Sequence, residues 1–339
     1  MYSLLISFLL FIVLSSSENK ELVFQIPKNW PIPHYDFTKN PMSPAKIELG
    51  RALFYDPILS RNQAVSCASC HLSFTAFTHT DHALSHGIDD KIGKRNSPAL
   101  MNLAWTKSFM WDGSINHLDM QALAPLSNPL EMDEKIENVV LKLSKSILYP
   151  TLFRKAFGDP AVTGERTLKA ISQFLLTLTS ANSKYDSVAR NESSFTLQEK
   201  AGYASFQKNC NSCHAEPLFT NSEFENNGLP IDSGLKDFGR MNITHSLADS
   251  LKFKVPTLRN VEFSYPYMHD GRFKKLKQVL NHYTHGIQNG PSLSKNLKNP
   301  IVLSPNEKAD LIAFLYTLSD KSFLKNSNHT FPKTTFSIK

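Results

Sequence analysis

The sequence predicts an all-α protein built from two related domains that arose by internal duplication. Three observations predict this class. A Cys-x-x-Cys-His motif occurs twice, residues 97–118 align without a gap on residues 255–276, and helix-start signals occur in both halves. The alternation of apolar and polar residues that is typical of strands is scarce. The 339 residues are enough for two domains of ordinary size.

Helix starts are marked by capping residues. Ser43 followed by Pro44 combines a helix cap with proline at the first helical position. Thr196 with Glu199 forms a capping box, and residues 304–307 repeat the pattern. The predicted helices cover residues 44–55, 133–148, 165–180, 197–208 and 305–318.

The repeat places similar residues at equal positions of the two halves. The matched pairs are Pro98 and Pro256, Asn102 and Asn260, Met110 and Met268, Gly113 and Gly271, and Phe174 and Phe314. The polar segment 187–194 suits a linker, so the domain boundary is expected near residue 190. The predicted division is a signal peptide over 1–17, an N-terminal domain over 18–190 and a C-terminal domain over 191–339.

The amino-terminal segment is typical of an export signal. The apolar run 4–14 is followed by three serines, and it is shorter than the roughly 20 residues that a membrane span needs. This predicts an exported, periplasmic protein without a stable membrane span. The alternative is an uncleaved anchor at the amino terminus.

The charge pattern narrows the class of partner. The formal net charge is +7 and the sequence pI is about 9.1, which favours an acidic docking partner. The lysines are scattered and form no basic stripe with interleaved aromatics, so a nucleic-acid partner is not expected.

All four cysteines lie in the two repeated motifs. The first motif contains Cys67, Cys70 and His71, and the second contains Cys210, Cys213 and His214. This spacing lets two thiols add to the vinyl groups of one haem while the adjacent histidine ligates the iron. Two disulfides, a zinc ribbon or a thioredoxin-like pair would not explain a histidine after both pairs. The sequence therefore predicts two cytochrome c-like domains with one covalent haem c each.

The two halves differ where the second axial ligand of each iron is expected. Twelve residues past Gly113 stands Pro125, and twelve past Gly271 stands Tyr283. Proline cannot ligate iron, whereas a phenol can. The difference predicts an open first iron that binds a small molecule and a closed second iron that transfers electrons.

Polar groups near the first motif have no counterpart in the second half. Gln121 lies four residues before Pro125, and Glu131 lies six residues after it. A carboxylate beside an open iron can move a proton between the two oxygens of a peroxide. The alternative for Glu131 is a solvent-facing acid near a helix start.

These motifs resemble those of the bacterial di-haem cytochrome c peroxidases and the related MauG proteins over roughly residues 42–320. The resemblance implies a peroxidatic first haem and an electron-transfer second haem. It implies that Glu131 is catalytic, that Gln121 is the distal glutamine and that Trp111 carries electrons between the haems. Hydrogen peroxide, a small donor protein (a cytochrome c or a cupredoxin) and a homodimer are the partners that it implies.

Two further sites follow from the same resemblance. Asn96 and the carbonyls near Lys254 and Pro256 match a calcium site between the domains. His86 stands where many members of the family have a histidine that caps the first iron at rest. The alternative for His86 is an exposed loop residue.

The sequence also departs from the better-known peroxidases. Those carry methionine at the position of Tyr283, whereas MauG carries tyrosine; Met268 is a rival ligand, but its repeat partner Met110 indicates a role in the core. MauG has a surface tryptophan six residues before its second proximal histidine, and this chain has Lys208 there. A peroxidase is therefore the main prediction. A MauG-like oxidase and a non-enzymatic electron carrier are the alternatives.

Overall fold

The computed structural model describes residues 22–337, which are rich in helix and contain little sheet. The predicted signal peptide over 1–17 lies outside the described residues. The α-helices are Pro44–Tyr55 (α1), Cys67–Cys70 (α2), Leu118–Gln121 (α3), Leu123–Ser127 (α4), Ile136–Lys145 (α5), Tyr149–Phe157 (α6), Gly164–Thr177 (α7), Lys184–Ala189 (α8), Leu197–Asn209 (α9), Met241–Thr244 (α10), Leu276–Asn281 (α11), Pro305–Tyr316 (α12), Lys321–Leu324 (α13) and Lys333–Phe336 (α14). A π-helical turn, His282–Gly286, follows α11 directly.

Local capping explains where the long helices begin. The Ser43 hydroxyl accepts from the Lys46 amide at the start of α1. Reciprocal capping boxes open α9 and α12, as the sequence predicted. Helices α5 and α7 are shorter at their ends than predicted, because Ser146 and Leu178 leave the helical conformation.

The all-α prediction needs one correction. Strands Phe224–Glu225 (β1) and Phe253–Lys254 (β2) form a two-stranded antiparallel sheet in which Phe224 pairs with Lys254. The backbone amide of Lys254 also donates to the Trp111 carbonyl at 2.7 Å. The extended segment therefore satisfies its backbone groups on both sides, and it joins the C-terminal half to the loop that carries Trp111.

Each half has a close crossing between its first and last long helices. In the N-terminal half, a Cβ atom on Gly50 of α1 would lie 1.8 Å from the Ala170 carbonyl oxygen of α7. In the C-terminal half, a Cβ atom on Gly202 of α9 would lie 1.9 Å from the Asp310 carbonyl oxygen of α12. Only glycine allows the two backbones to approach this closely.

Repeat positions share backbone geometry. Met110 and Met268 both have positive φ angles, of 67° and 75°. The Asn102 amide donates to the Leu178 carbonyl at 2.8 Å, and the Asn260 amide donates to the Leu318 carbonyl at 3.1 Å. These matched geometries support an internal duplication, which we propose as the origin of the two domains.

Packing crosses the predicted boundary at residue 190 in both directions. Tyr185 of α8 lies in the core of the C-terminal half, beside Phe219. In the other direction, Phe323 of α13 lies in the core of the N-terminal half. The Tyr55 hydroxyl of α1 donates to the His329 carbonyl at 2.5 Å. The end of the chain thus folds back onto the first domain.

No helix among residues 22–337 is long and apolar enough to cross a membrane.

Candidate functional site: two haem-attachment motifs

The first motif holds its histidine in place for ligation. His71 follows α2, and its Nδ1 donates to the Phe77 carbonyl at 2.7 Å. Burial lowers the pKa of His71 to about 4, so the imidazole is neutral at ordinary pH. With Nδ1 protonated and hydrogen-bonded, Nε2 carries the lone pair that a metal needs.

The second motif repeats this arrangement. The Nδ1 atom of His214 lies 3.2 Å from the Phe219 carbonyl oxygen and 3.1 Å from that of Pro256. Burial lowers the pKa of His214 to about 4 as well. A cavity of about 290 Å³ opens beside this histidine and extends to Tyr283 and Trp111.

The four cysteines are free thiols, as covalent attachment of haem requires. Burial raises the pKa of Cys67 and Cys210 to about 12 and that of Cys70 to about 11. Protonated thiols and a neutral histidine within one short segment suit addition to haem vinyl groups and iron ligation. The residues of both motifs therefore fit a haem c.

Glu131 lies beside the first motif. Its carboxylate raises the pKa of both Cys67 and Cys70 through charge interaction, which places it close to the two thiols. Burial raises the pKa of Glu131 itself, and a hydrogen bond from the Asn128 amide at 2.8 Å opposes part of that rise. The side chain is thus partly buried in a turn and hydrogen-bonded to a neighbour, and it is not a solvent-facing residue at a helix start.

Close packing of two loops sets the position of Glu131. A Cβ atom on Gly87 would lie 2.1 Å from the Leu130 carbonyl oxygen and 2.5 Å from the Glu131 Cα. The Ile88 amide donates to the Glu131 carbonyl at 2.7 Å. The Glu131 loop therefore rests against the backbone next to His86, whose carbonyl accepts from the Cys70 thiol at 3.3 Å.

Gln121 and Pro125 lie on consecutive short helices. Gln121 ends α3 and Pro125 lies in α4, with Ala122 between them in helical conformation. The Gln121 amide nitrogen lies 3.9 Å from the Met110 sulfur. The Met132 amide donates to the Pro125 carbonyl at 3.2 Å, which ties the Glu131 loop to this helix.

His86 belongs to a stack of three histidine rings. The rings of His82 and His86 are 4.1 Å apart, and those of His79 and His82 are 5.2 Å apart. The Nδ1 atom of His86 lies 3.1 Å from an Asp90 carboxylate oxygen. No motif in the sequence predicts this stack, and iron ligation by His86 stays a prediction.

Trp111 lies where the two halves meet. Its indole nitrogen donates to the Asn96 carbonyl at 2.9 Å, and it lines the cavity of the second motif. The Lys254 backbone amide donates to the Trp111 carbonyl. Burial lowers the pKa of the Lys254 side-chain ammonium to about 8. Arg95 of the first half bonds Asp237 of the second at 2.6 Å and 2.9 Å, which fixes the interface nearby.

Tyr283 lies in the cavity of the second motif. It belongs to the π-helical turn, and burial raises its pKa to about 12. Met268 lines the same cavity. The Asn227 amide nitrogen donates to the Met268 sulfur at 3.5 Å, and no motif in the sequence singles this asparagine out. The sequence also did not single out Asn128. Its position three residues before Glu131, in an Asn-Pro turn, could have indicated a contact with that carboxylate.

Two cytochrome c-related domains, each with a complete attachment motif and a neutral histidine for the iron, define a di-haem c-type cytochrome. Comparisons agree: a family model described as di-haem cytochrome c peroxidase matches residues 44–194, and a cytochrome c model matches residues 199–319.

Similar proteins of known family identify the family of this chain. Methylamine utilization protein MauG of Methylorubrum extorquens is 37% identical over 307 residues, covering 87% of this chain and 83% of that protein. Cytochrome c551 peroxidase of Nitrosomonas europaea is 35% identical over 281 residues, covering 80% and 79%. The crystal structure of a MauG-like protein associated with microbial copper homeostasis matches with a TM-score of 0.81 and 30% identity, covering 92% and 99%. The chain belongs to the di-haem cytochrome c peroxidase and MauG family, which confirms the resemblance of its motifs.

Proposed function

We propose that this chain is an exported di-haem cytochrome c peroxidase, which reduces hydrogen peroxide to water with electrons from a small redox protein. The observation that carries the proposal is the partly buried Glu131 carboxyl beside Cys67 and Cys70, with its pKa raised by burial. A carboxyl whose pKa is raised by burial suits a general acid and base. A pure electron carrier has no use for it.

Each residue of the first haem site has a separate role in this proposal. The first haem, when bound, supplies the iron at which the peroxide oxygen–oxygen bond is cleaved. Glu131 would take a proton from one oxygen of the peroxide and return it to the other, which leaves as water. Gln121 holds the peroxide by hydrogen bonding. His71 would hold the iron of the first haem, and its hydrogen bond to the Phe77 carbonyl fixes the orientation of the ring.

The second haem site serves electron transfer in this proposal. His214 and Tyr283 would hold the iron of the second haem. Trp111 lies in the wall of that cavity and is held by Asn96 and Lys254, so it provides an aromatic group between the two sites. The donor is a cytochrome c or a cupredoxin with an acidic surface, since the chain carries a net charge of +7.

We also propose a calcium ion held by the Asn96 side chain and the carbonyls of Lys254 and Pro256. Asn96 is buried, and its amide nitrogen donates to the Ala83 carbonyl at 2.9 Å, so the amide oxygen is left for a cation. Oxygen ligands of this kind suit calcium, with water completing its six to eight ligands. Elemental analysis of the purified holoprotein should give one calcium per chain. A calcium-free protein with unchanged thermal stability would contradict the site.

Steady-state turnover tests the main proposal. Holoprotein with two haems per chain is mixed with hydrogen peroxide and a reduced small c-type cytochrome, and donor oxidation is followed. We expect two donor molecules oxidised per peroxide consumed. Absence of peroxide consumption with a fully reduced donor and intact haems would refute the peroxidase assignment.

A MauG-like oxidase is the second candidate, because Tyr283 lies in the second cavity. The exposed Lys208, six positions before His214, argues against a protein-modifying route through a surface tryptophan. Mass spectrometry of candidate proteins after peroxide addition discriminates the two. A covalent mass change in a partner protein, without donor oxidation, would favour the oxidase.

A further inference from the structure

The carbonyl that orients the first histidine lies in a strained loop. Phe77 follows His71 by six residues, and its carbonyl accepts from the His71 Nδ1 at 2.7 Å. Ala76 and Phe77 have φ angles of 58° and 59°, in the left-handed region that residues other than glycine rarely adopt. Two such residues in succession persist only where the surrounding structure holds them. The packing around Phe77 therefore decides where its carbonyl lies.

Part of that packing comes from the other half of the chain. The buried Phe77 ring contacts aromatic side chains of the N-terminal half, namely Phe54 and Phe174. It also contacts Phe323 and His329, whose ring centroids each lie 6.0 Å from its own. Both belong to residues 320–337, which we call the C-terminal segment. Helix α13 of this segment also packs against the turn Ser73–Thr75, just before Phe77. Both halves of the chain thus hold the loop of the first motif.

The C-terminal segment is fixed to helix α1 of the N-terminal half. The Tyr55 hydroxyl donates to the His329 carbonyl at 2.5 Å. The Arg51 guanidinium donates to the Ser327 carbonyl at 2.8 Å and to the Thr330 carbonyl at 2.7 Å. These acceptors stand before, at and after His329 in the chain. The hydrogen bonds therefore hold the turn that presents the imidazole to Phe77.

His329 and Phe323 also hold each other. The His329 Nδ1 lies 3.1 Å from the Phe323 carbonyl oxygen, and the two rings are 4.9 Å apart. The Phe323 amide donates to the Asp320 carboxylate at 3.0 Å, and the Asp320 amide donates to the side-chain oxygen of buried Asn260 at 2.7 Å. The position of Phe323 is therefore set from the C-terminal half, whereas that of His329 is set from α1.

We propose that His329 and Phe323 are positioning residues for the first haem. By packing on Phe77 they hold its carbonyl against the His71 Nδ1, and this hydrogen bond makes the histidine a stronger donor to iron. A stronger donor stabilises ferric iron, so the C-terminal segment keeps the potential of the first haem low. The inference rests on the proposed first haem and on His71 as its ligand.

Resonance Raman spectra of the reduced holoprotein measure the bond between His71 and iron. A five-coordinate ferrous haem shows an iron–histidine stretching band and a six-coordinate one does not, so the band reports the first haem alone. His329→Ala removes the ring from Phe77. We expect the band to move to lower frequency and the midpoint potential of the first haem to rise. His329→Phe keeps a ring against Phe77 and should restore both values toward those of the wild type.

Further variants separate positioning from misfolding. Tyr55→Phe keeps the ring but removes the hydroxyl that holds the His329 carbonyl, so it should shift the band in the same direction by less. Asn328→Ala, at an exposed position of the same turn, should match the wild type. Haem content and far-ultraviolet circular dichroism establish that each variant is folded. The second haem is an internal control, and its midpoint potential should not change.

The outcomes distinguish this role from the proposed function. If the wild type lacks the band, the open first iron of the proposed function is wrong, and the midpoint potentials still decide the role of His329. If folded His329→Ala keeps the wild-type band and potential, the role of His329 is refuted while the haem site stands. Equal shifts in the potentials of both haems would also refute it, because they would indicate a general loosening of the protein.

Discussion

The Asn128 side-chain amide donates to a carboxylate oxygen of Glu131 at 2.8 Å, so the turn that carries the proposed catalytic acid also orients it. The Asn128 amide oxygen accepts from the Leu130 backbone at 3.0 Å, which fixes the direction of that donor. A partly buried carboxyl with one directed hydrogen bond has a defined rotamer and a raised pKa. Asn128 thus orients the carboxyl and opposes part of the rise in its pKa that burial causes.

Replacing the Glu131 carboxyl should abolish most of the turnover. Glu131→Gln keeps the shape but cannot accept a proton, and we expect kcat/KM for peroxide to fall by about 10²–10⁴-fold. Stopped-flow peroxide reduction, at equal haem content, measures this. Glu137→Gln on the exposed side of α5 is the matched control and should behave as wild type. Equal rates for Glu131→Gln and wild type would exclude proton transfer by Glu131.

The hydrogen bond from Asn128 should control the pH profile. Glu131 must be ionised to accept the first proton, so activity should rise with pH through its raised pKa. Asn128→Ala removes a donor that favours the ionised form, and the acidic limb should therefore move to higher pH. The control is Asn138→Ala, which removes a similar 2.9 Å bond to Glu134 away from the site. An unchanged limb in Asn128→Ala would contradict this account.

The two close helix crossings should be intolerant of any side chain. Gly50→Ala and Gly202→Ala each place a Cβ atom less than 2 Å from a backbone oxygen. Each helix pair must then separate, at a cost of about 1–3 kcal/mol in the free energy of unfolding. Urea denaturation of the holoprotein measures this loss of unfolding free energy. Gly290→Ala, with no heavy atom within 4 Å of the new Cβ, should stay within about 0.5 kcal/mol of wild type.

The buried Asp186–Arg259 ion pair should contribute far more to stability than a surface pair. The atoms are 2.8 Å apart, and their side chains are 5% and 0% exposed. Asp186→Asn leaves the guanidinium without its counter-charge, and we expect a loss of about 3–5 kcal/mol. Asp159→Asn, which breaks the exposed pair with Arg166, should lower the stability far less, because solvent screens that pair. Similar losses in both variants would contradict the ranking.

The pH dependence of that contribution has a definite sign. Burial raises the pKa of Asp186, but the Arg259 guanidinium outweighs it and leaves the net pKa below its usual value. The stabilisation is therefore present above the pKa of the unfolded chain and is lost as pH falls through the folded-state pKa. The difference in unfolding free energy between wild type and Asp186→Asn should shrink in acid.

Local signals in the sequence predicted much of the fold. The capping boxes at Thr196 and Ser304 gave the helix starts, because a cap depends only on residues three positions apart. The fold-back of the chain end was not predictable. His329, with no motif of its own, reads as a surface residue, but it is buried against Phe77 and Phe323. Contacts between such distant positions leave no local pattern.

The site was predictable only where chemistry fixes spacing. The two Cys-x-x-Cys-His motifs can be recognised in the sequence, because one haem must bond to both thiols and to the adjacent histidine. Asn227 has no such spacing relative to Met268, since a loop of the C-terminal half brings its amide nitrogen within 3.5 Å of the Met268 sulfur. The stacking of His86 on His82 likewise depends on tertiary folding of the loop.

The central claim is that the first iron has a free coordination position and the second does not. A cyanide titration of the holoprotein, followed by EPR in each redox state, tests this claim most directly. Cyanide binds an iron only where the sixth position is free or easily vacated. Pro125 offers no ligand at the first haem site, whereas Tyr283 lies in the second cavity. The account predicts that one haem per chain binds cyanide, and that this is the haem bonded to Cys67 and Cys70. Two equivalents per chain, or none in any redox state, would contradict it.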